Sequence, residues 1–400
     1  MRPTLPRPVF LRILSTNPPR LRIGEAEQEP RHATWLELFY DLVFVAAVSQ
    51  LAHKLSGEVS ISGFLGYAGL FVPLWWTWIG TTFYANRFDS DDPIRRMMMG
   101  LQMIAIASLA INIHHAWSTT SFGFALSYII SRLLLIVEYL RVVRHIPQVK
   151  PLVYPLNIGF AVGVLLWIIS LAVPAPWRFV LWGAGLLVDF ASPILGSEQQ
   201  RLWPPHAEHL PERLGLFTII VLGEAVIAVV NGLSEMDWRF PVAITATLGF
   251  ATAFGLWWLY FENALSKALE QARETGKALI LQIWLYGHLP LVIGLAAVGI
   301  GVEHAVLATP GVALPANDRW LMAGSVTICY LSLALLHRTG VIFACQVRAL
   351  HRLAAAAAVL AIALFGDTLS PMMVMGAIAF IGIIQVGLDM FQKHIGLGQC

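Results

Sequence analysis

Apolar runs of membrane-crossing length, repeated along the chain, constrain this sequence more than any motif in it. Stretches of roughly 20 apolar residues, the length a helix needs to cross the hydrocarbon core of a bilayer, recur from residue 38 to residue 390. They fall at 38–55, 63–84, 97–117, 122–142, 153–173, 177–195, 214–231, 241–261, 279–302, 320–337, 351–366 and 370–389. The eleventh is barely long enough, and only the short segment 366–371 separates it from the twelfth. Lipid offers no hydrogen bonds to backbone N–H and C=O groups, so runs of this length fold as helices, which satisfy those groups internally. The expected fold class is all-α: a polytopic integral membrane protein with about twelve transmembrane helices.

Composition excludes the alternatives. The 400 residues are 57% hydrophobic and 12% charged, and the mean hydropathy is +0.69. A soluble domain carries about 25% charged residues, enough to cover its surface. The net charge of +2 gives no nucleic-acid signal. The bilayer is the one partner that composition demands; self-association is left open.

The charges between the runs set the orientation. Connectors on the N-terminal side hold Arg87, Arg95 and Arg96, then Arg141, Arg144 and Lys150, then Arg201 and Arg213. Lys267, Arg273 and Lys277, then Arg338, Arg348 and Arg352, continue the series. The opposite side has little beyond Lys54, Arg178, Arg239 and Arg319. By the positive-inside rule both termini are cytoplasmic. Trp35, Trp177, Trp203, Trp238 and Trp320 lie near run ends, as an interfacial belt would. Trp75, Trp76 and Trp78 sit deeper, and read as helix packing or as the lining of a substrate path.

A weak internal echo divides the chain. The first and seventh runs each open with an acidic residue, Glu37 and Glu212; WWTWIGTTFY (75–84) answers to LWWLYFEN (256–263), and HHA (114–116) to EHA (303–305). Duplication of a six-helix half in the same orientation is one reading of these matches, and shared composition is the other. The expected organisation is a flexible cytoplasmic arm at 1–30, a first transmembrane half at 31–195 and a cytoplasmic linker at 196–213. A second half at 214–392 and a tail at 393–400 complete it.

Ionisable groups inside lipid are costly, and face protein or water. Glu37 and Asp41 are four residues apart and share a helix face. Capping at the helix N-terminus explains Glu37 alone; Asp41, a turn deeper, needs a buried partner. Glu224 lies mid-run beside Gly223, which would allow close helix approach. Asp189 is also well inside its run. Arg132 is central in the fourth run, with Glu138 near that run's cytoplasmic end. An unpaired arginine at that depth is expensive, so Asp41, Asp189 and Glu224 are its candidate partners. Asp41, Glu224, Asp189, Arg132 and Glu37 are thus the leading candidates for transport or ion coupling. Glu212, Arg213, Glu138, Glu262, His288, Asn112, His114 and His115 are secondary ones, His288 as a group able to titrate near neutrality or as a helix–helix hydrogen bond near Pro290.

Enzyme and cofactor signals are thin. HAEHLPER (206–213) lacks the HExxH spacing of a zinc protease and reads as an interfacial loop capping the seventh helix. Dinucleotide, phosphate-loop, serine-elbow and haem-attachment motifs are absent from the sequence, so neither metal nor cofactor is expected.

Two segments together resemble a known family. RHATWLELFYDLVFVAAVSQLAH (31–53) and HLPERLGLFTIIVLGEAVIAVV (209–230) are similar to the two motifs of the bacterial low temperature requirement protein A family. Glu37, Phe39, Asp41 and Phe44 occupy the first motif; Glu212, Arg213, Gly215, Gly223 and Glu224 occupy the second. The resemblance implies a multi-pass bacterial inner-membrane protein, named for a cold-growth phenotype, with no established substrate. Three readings of function follow: a secondary transporter or permease whose carboxylates couple to protons, cations or a small-molecule substrate; a scaffold or sensor whose charges are structural pairs; and a lipid-acting enzyme using His114 and His115.

Overall fold

The computed structural model describes residues 19–21, 32–89, 92–206, 209–234, 236, 239–262, 278–340 and 343–395. Glu208, Trp238, Lys267, Arg273, Lys277 and most of the 1–30 arm and 393–400 tail lie outside those residues.

The described chain is helical: α1 (Trp35–Ser56), α2 (Ile61–Arg87), α3 (Pro93–Ile111), α4 (Ser121–His145), α5 (Lys150–Ala172), α6 (Trp177–Leu195) and the short α7 (Ser197–Leu202). Then come α8 (His209–Ser234), α9 (Phe240–Phe261), α10 (Ala278–Leu307), α11 (Ala316–Arg338), α12 (Phe343–Phe365) and α13 (Pro371–His394). Eleven of these are long and apolar enough to cross a membrane. The 27-residue α2 is long enough as well. Two two-residue strands, β1 (Arg20–Leu21) and β2 (Phe88–Asp89), pair antiparallel, so one point of the arm is tied down beside the end of α2.

Local chemistry sets several helix starts. Asp92 caps α3 by accepting from the Arg95 backbone N–H at 3.2 Å, with Pro93 in the first helical position. Ser370 and Pro371 do the same for α13. At α1, Thr34 and Glu37 form a capping box: the Thr34 N–H donates to Glu37 Oε2 at 2.8 Å, and the Glu37 N–H to Thr34 Oγ1 at 3.2 Å. Prolines inside α2, α5, α6 and α10 remove a backbone donor each. Thr77 Oγ1 returns a hydrogen bond to the Pro73 carbonyl at 3.0 Å.

Two compact units result: residues 1–43 with 73–210, and residues 44–72 with 211–400. Helices α1 and α2 each contribute to both. In the first unit α3 packs on α4, α4 on α5 and α5 on α6. Its core includes Trp167 and Trp182 stacked at 4.8 Å, with Phe124 stacked on Trp182 at 5.4 Å. In the second unit α10, α11, α12 and α13 pack in sequence, and α9 lies against α13 and α10. Trp35, Trp177 and Trp320 are exposed, as a belt at the lipid headgroups requires. Trp75, Trp76 and Trp78 are buried, and Trp76 stacks on Phe190 at 4.0 Å.

Candidate functional site

The first unit gathers most of the buried charge. Arg132 of α4 and Asp189 of α6 pair at 3.1 Å, with 1% and 0% of their side chains exposed. Tyr128, one turn before Arg132, donates its hydroxyl to the other oxygen of Asp189 at 2.7 Å. The guanidinium lies 4.3 Å from the Phe160 ring centroid, close enough for a cation–π contact. Two glycines make room: a Cβ at Gly80 would come within 2.9 Å of Arg132 Nη1, and one at Gly163 within 2.9 Å of Asp189 Oδ1. Of the three carboxylates proposed for Arg132, Asp189 is the partner.

A second buried network lies in the same unit. Arg95 of α3 pairs with Glu138 of α4, and Gln102 Nε2 donates to the other Glu138 oxygen at 3.2 Å. Thr81 Oγ1 donates to Gln102 Oε1 at 2.7 Å, and the Tyr40 hydroxyl lies 3.1 Å from both. Arg95 therefore belongs to a helix and not to a connector, because Glu138 offsets the cost of its burial. Asp41 has its buried partner: Trp78 Nε1 donates to Asp41 Oδ1 at 2.8 Å. Glu37, besides its capping role, lies 3.6 Å from His209 Nε2. Glu37 and Asp41 thus share a helix and serve different partners.

The linker histidines do structural work. Asn86 bonds the backbone of His206 and the ring of His209, and His206 Nδ1 accepts from the His209 backbone N–H at 3.3 Å, at the start of α8. Among the described residues no group of three or more His, Cys, Asp or Glu could hold a metal ion. Arg87 donates to the Trp203 carbonyl at 3.1 Å and to Gln200 at 2.9 Å. Asn112 caps α3 and donates to the Ser108 carbonyl at 2.7 Å. His114 and His115 occupy the turn between α3 and α4, their rings 6.4 Å apart.

In the second unit Glu224 lies midway along α8, 7% exposed, with Oε1 buried and without a hydrogen bond. Among the described residues the Ser49 hydroxyl of α1 and the Glu303 carboxylate of α10 act on its carboxyl, and no basic side chain pairs with it. Close approach here comes from the facing helix. A Cβ at Gly299 would meet the Ala225 backbone at 3.0 Å, whereas one at Gly223 would meet nothing within 4 Å. The expectation for Gly223 is corrected on that point, since its missing side chain faces open space. Glu212 sits in the first turn of α8, and the adjacent Arg213 is buried. Glu262 caps α9 and pairs with Lys393 at 2.6 Å. His288 is buried, and its Nδ1 bonds the Trp284 carbonyl one turn back at 2.7 Å, so this hydrogen bond runs within α10 and not between helices.

Sequence reasoning missed a third paired site. Arg348 and Arg352, taken as connector charges, lie buried in α12. Arg352 pairs with Asp389 of α13 and donates to Gln385 at 2.5 Å. Also missed was His304, whose Nδ1 lies 3.0 Å from Asp318 and whose Nε2 lies 3.2 Å from Ser56 Oγ.

Long apolar helices that carry inward-facing, mutually paired charges define a polytopic α-helical membrane protein. The model of the family described as "Bacterial low temperature requirement A protein (LtrA)" matches residues 32–386, and the chain belongs to that family. It is similar to the uncharacterized protein RA0937 of Rhizobium meliloti (strain 1021), 29% identical over 289 residues, covering 68% of this chain and 69% of the relative.

Proposed function

We propose that this protein is a permease of the bacterial cytoplasmic membrane, with both termini cytoplasmic, in which Glu224 is the carboxylate that couples to a proton or cation. One contrast carries the reading. Asp189, Glu138 and Asp389 are each held by an arginine, and changing their charge would strand a buried cation. Among the described residues Glu224 is paired with no basic side chain, and its Oε1 is buried without a hydrogen bond. It can gain or lose a proton, or meet a cation, without breaking an ion pair. The paired charges then fix helix positions, and Arg132 is part of the framework.

The test is flux into proteoliposomes under an imposed pH gradient, with a panel of labelled cations and small metabolites. Protein-dependent, gradient-dependent uptake that vanishes in a folded Glu224→Gln variant is the expected result. Equal uptake by Glu224→Gln would remove Glu224 from the mechanism.

A second reading has its own observation. The arginine–carboxylate pairs Arg95–Glu138, Arg132–Asp189 and Arg352–Asp389, each joining two helices, suit a scaffold or sensor that transports nothing. It expects wild-type protein to move no member of the panel.

A further inference from the structure

A charged cavity of about 290 Å³ opens in the second unit, where the last turns of α9 and α13 meet the first turns of α12. Arg348, Asp389, Trp258, Glu262, Met390 and Lys393 line it. Its inner charges are fixed. Arg352, one turn beyond Arg348 on α12, pairs with Asp389, and Arg348 Nε lies 3.9 Å from the other Asp389 oxygen. One carboxylate thus serves two buried guanidinium groups. At the rim Lys393 and Glu262 pair at 2.6 Å, with 58% of the lysine side chain exposed. A strip of exposed apolar side chains runs down α13 from the cavity. Ile383 and Phe380 lie seven and ten residues before Met390, on the same helix face, and all three are exposed. Ten residues of helix span about 15 Å, half the roughly 30 Å hydrocarbon core of a bilayer. The strip is therefore one leaflet long.

We propose that this cavity binds the phosphodiester of an anionic membrane phospholipid, whose acyl chains lie along the exposed face of α13. Basic pockets between transmembrane helices are sites for anionic headgroups. Arg348 offers phosphate oxygens a planar fork of donors, and Lys393 a mobile point charge on a flexible stem. Trp258 stands at the level where an indole meets the headgroups. The cavity lies at the lower edge of the roughly 300–1,000 Å³ of small-molecule sites, so it takes a headgroup and leaves the chains outside. A phospholipid arrives already held at this depth, with its phosphate level with the helix ends and its chains beside Met390, Ile383 and Phe380. The carboxylates tune the choice. Glu262 at the rim repels a second negative charge, which favours a singly charged diester over a doubly charged monoester or free phosphate. The site is separate from Glu224 and stands whether or not the chain transports anything.

The experiment is native mass spectrometry of the full chain released from detergent micelles. The probes are phosphatidylglycerol, phosphatidylcholine, the deacylated headgroup glycerophosphoglycerol and inorganic phosphate. Wild-type protein should retain phosphatidylglycerol more tightly than phosphatidylcholine, and neither soluble compound. Arg348→Gln should weaken that retention about 10- to 100-fold, the effect of losing a hydrogen bond to a charged group. Arg348 is buried, so two rim variants stand beside it in case Arg348→Gln does not fold. Lys393→Gln removes a positive charge and should weaken retention; Glu262→Gln removes a negative one and should tighten it. Both break the same ion pair, so a purely structural role for that pair would move them in the same direction. Equal retention of phosphatidylcholine, or unchanged retention in Lys393→Gln or in a folded Arg348→Gln, would overturn the proposal. So would rim variants that shift binding the same way. Glycerophosphoglycerol or inorganic phosphate held as tightly as the lipid would overturn the lipid and make the cavity a site for a free phosphate compound.

Discussion

Arg132 and Asp189 meet at 3.1 Å from different helices, both fully buried, with Tyr128 completing the carboxylate's hydrogen bonds. The two charges are worth more as a pair than either is alone, which makes the pair testable by single and double substitution. Removing one member leaves the other buried without compensation, at a cost of about 3–5 kcal/mol. Arg132→Met and Asp189→Leu should each lower the thermal midpoint in detergent markedly. The double variant, which buries no charge, should recover most of the loss.

Tyr128→Phe removes one hydrogen bond to a buried carboxylate and nothing else. A loss of about 1–3 kcal/mol is expected, smaller than for either charged partner. Chemical unfolding followed by tryptophan fluorescence would measure it; a null effect would show that the hydroxyl contributes nothing to holding Asp189.

Glycine positions on α5 and α6 give a matched pair of substitutions. Gly163→Ala places a methyl 2.9 Å from Asp189 Oδ1 and 3.1 Å from the Gly185 carbonyl, so a loss of about 1–3 kcal/mol is expected. Gly183→Ala meets nothing within 4 Å, and alanine is the better helix former by about 1 kcal/mol. Thermal midpoints that move in opposite directions would confirm the packing.

The capping box at α1 predicts a smaller effect. Thr34→Ala removes the oxygen that accepts from the Glu37 backbone N–H, for about 1 kcal/mol. Thr34→Ser keeps that oxygen and should behave as wild type in the same melting experiment.

Glu224→Gln separates function from stability. The substitution removes the charge of a buried carboxyl that has no cationic partner among the described residues, so the folded state should be retained with an unchanged or higher midpoint. Loss of gradient-driven flux at full stability is the outcome the permease reading requires. Loss of both together would make Glu224 a structural residue.

Apolar run length made the helices legible, because a bilayer imposes that length regardless of what the helices pack against. The partners of the buried charges were less legible. Arg132 announced itself by its depth, yet its choice of Asp189 over Asp41 depends on how α4 and α6 face each other, which no local pattern encodes. Arg348 and Arg352 looked like connector charges because their partner Asp389 lies about forty residues further on. His304 escaped notice because it lies at a run end, where polar residues are ordinary. Tyr128 could have been found: it stands one turn from Arg132, on the same helix face.

The division of α1 and α2 between the two units also bears on how the chain is made. Tyr67 bonds a carbonyl 226 residues downstream, and Ser56 meets a histidine 248 residues downstream. At ordinary elongation rates, roughly 10–50 s separate the synthesis of these partners. For that interval the nascent helices sit in the bilayer with Tyr67 and Ser56 lacking their final neighbours. A ribosome halted near residue 210 would leave residues 44–72 without the rest of their unit, in a form that membrane quality control can recognise.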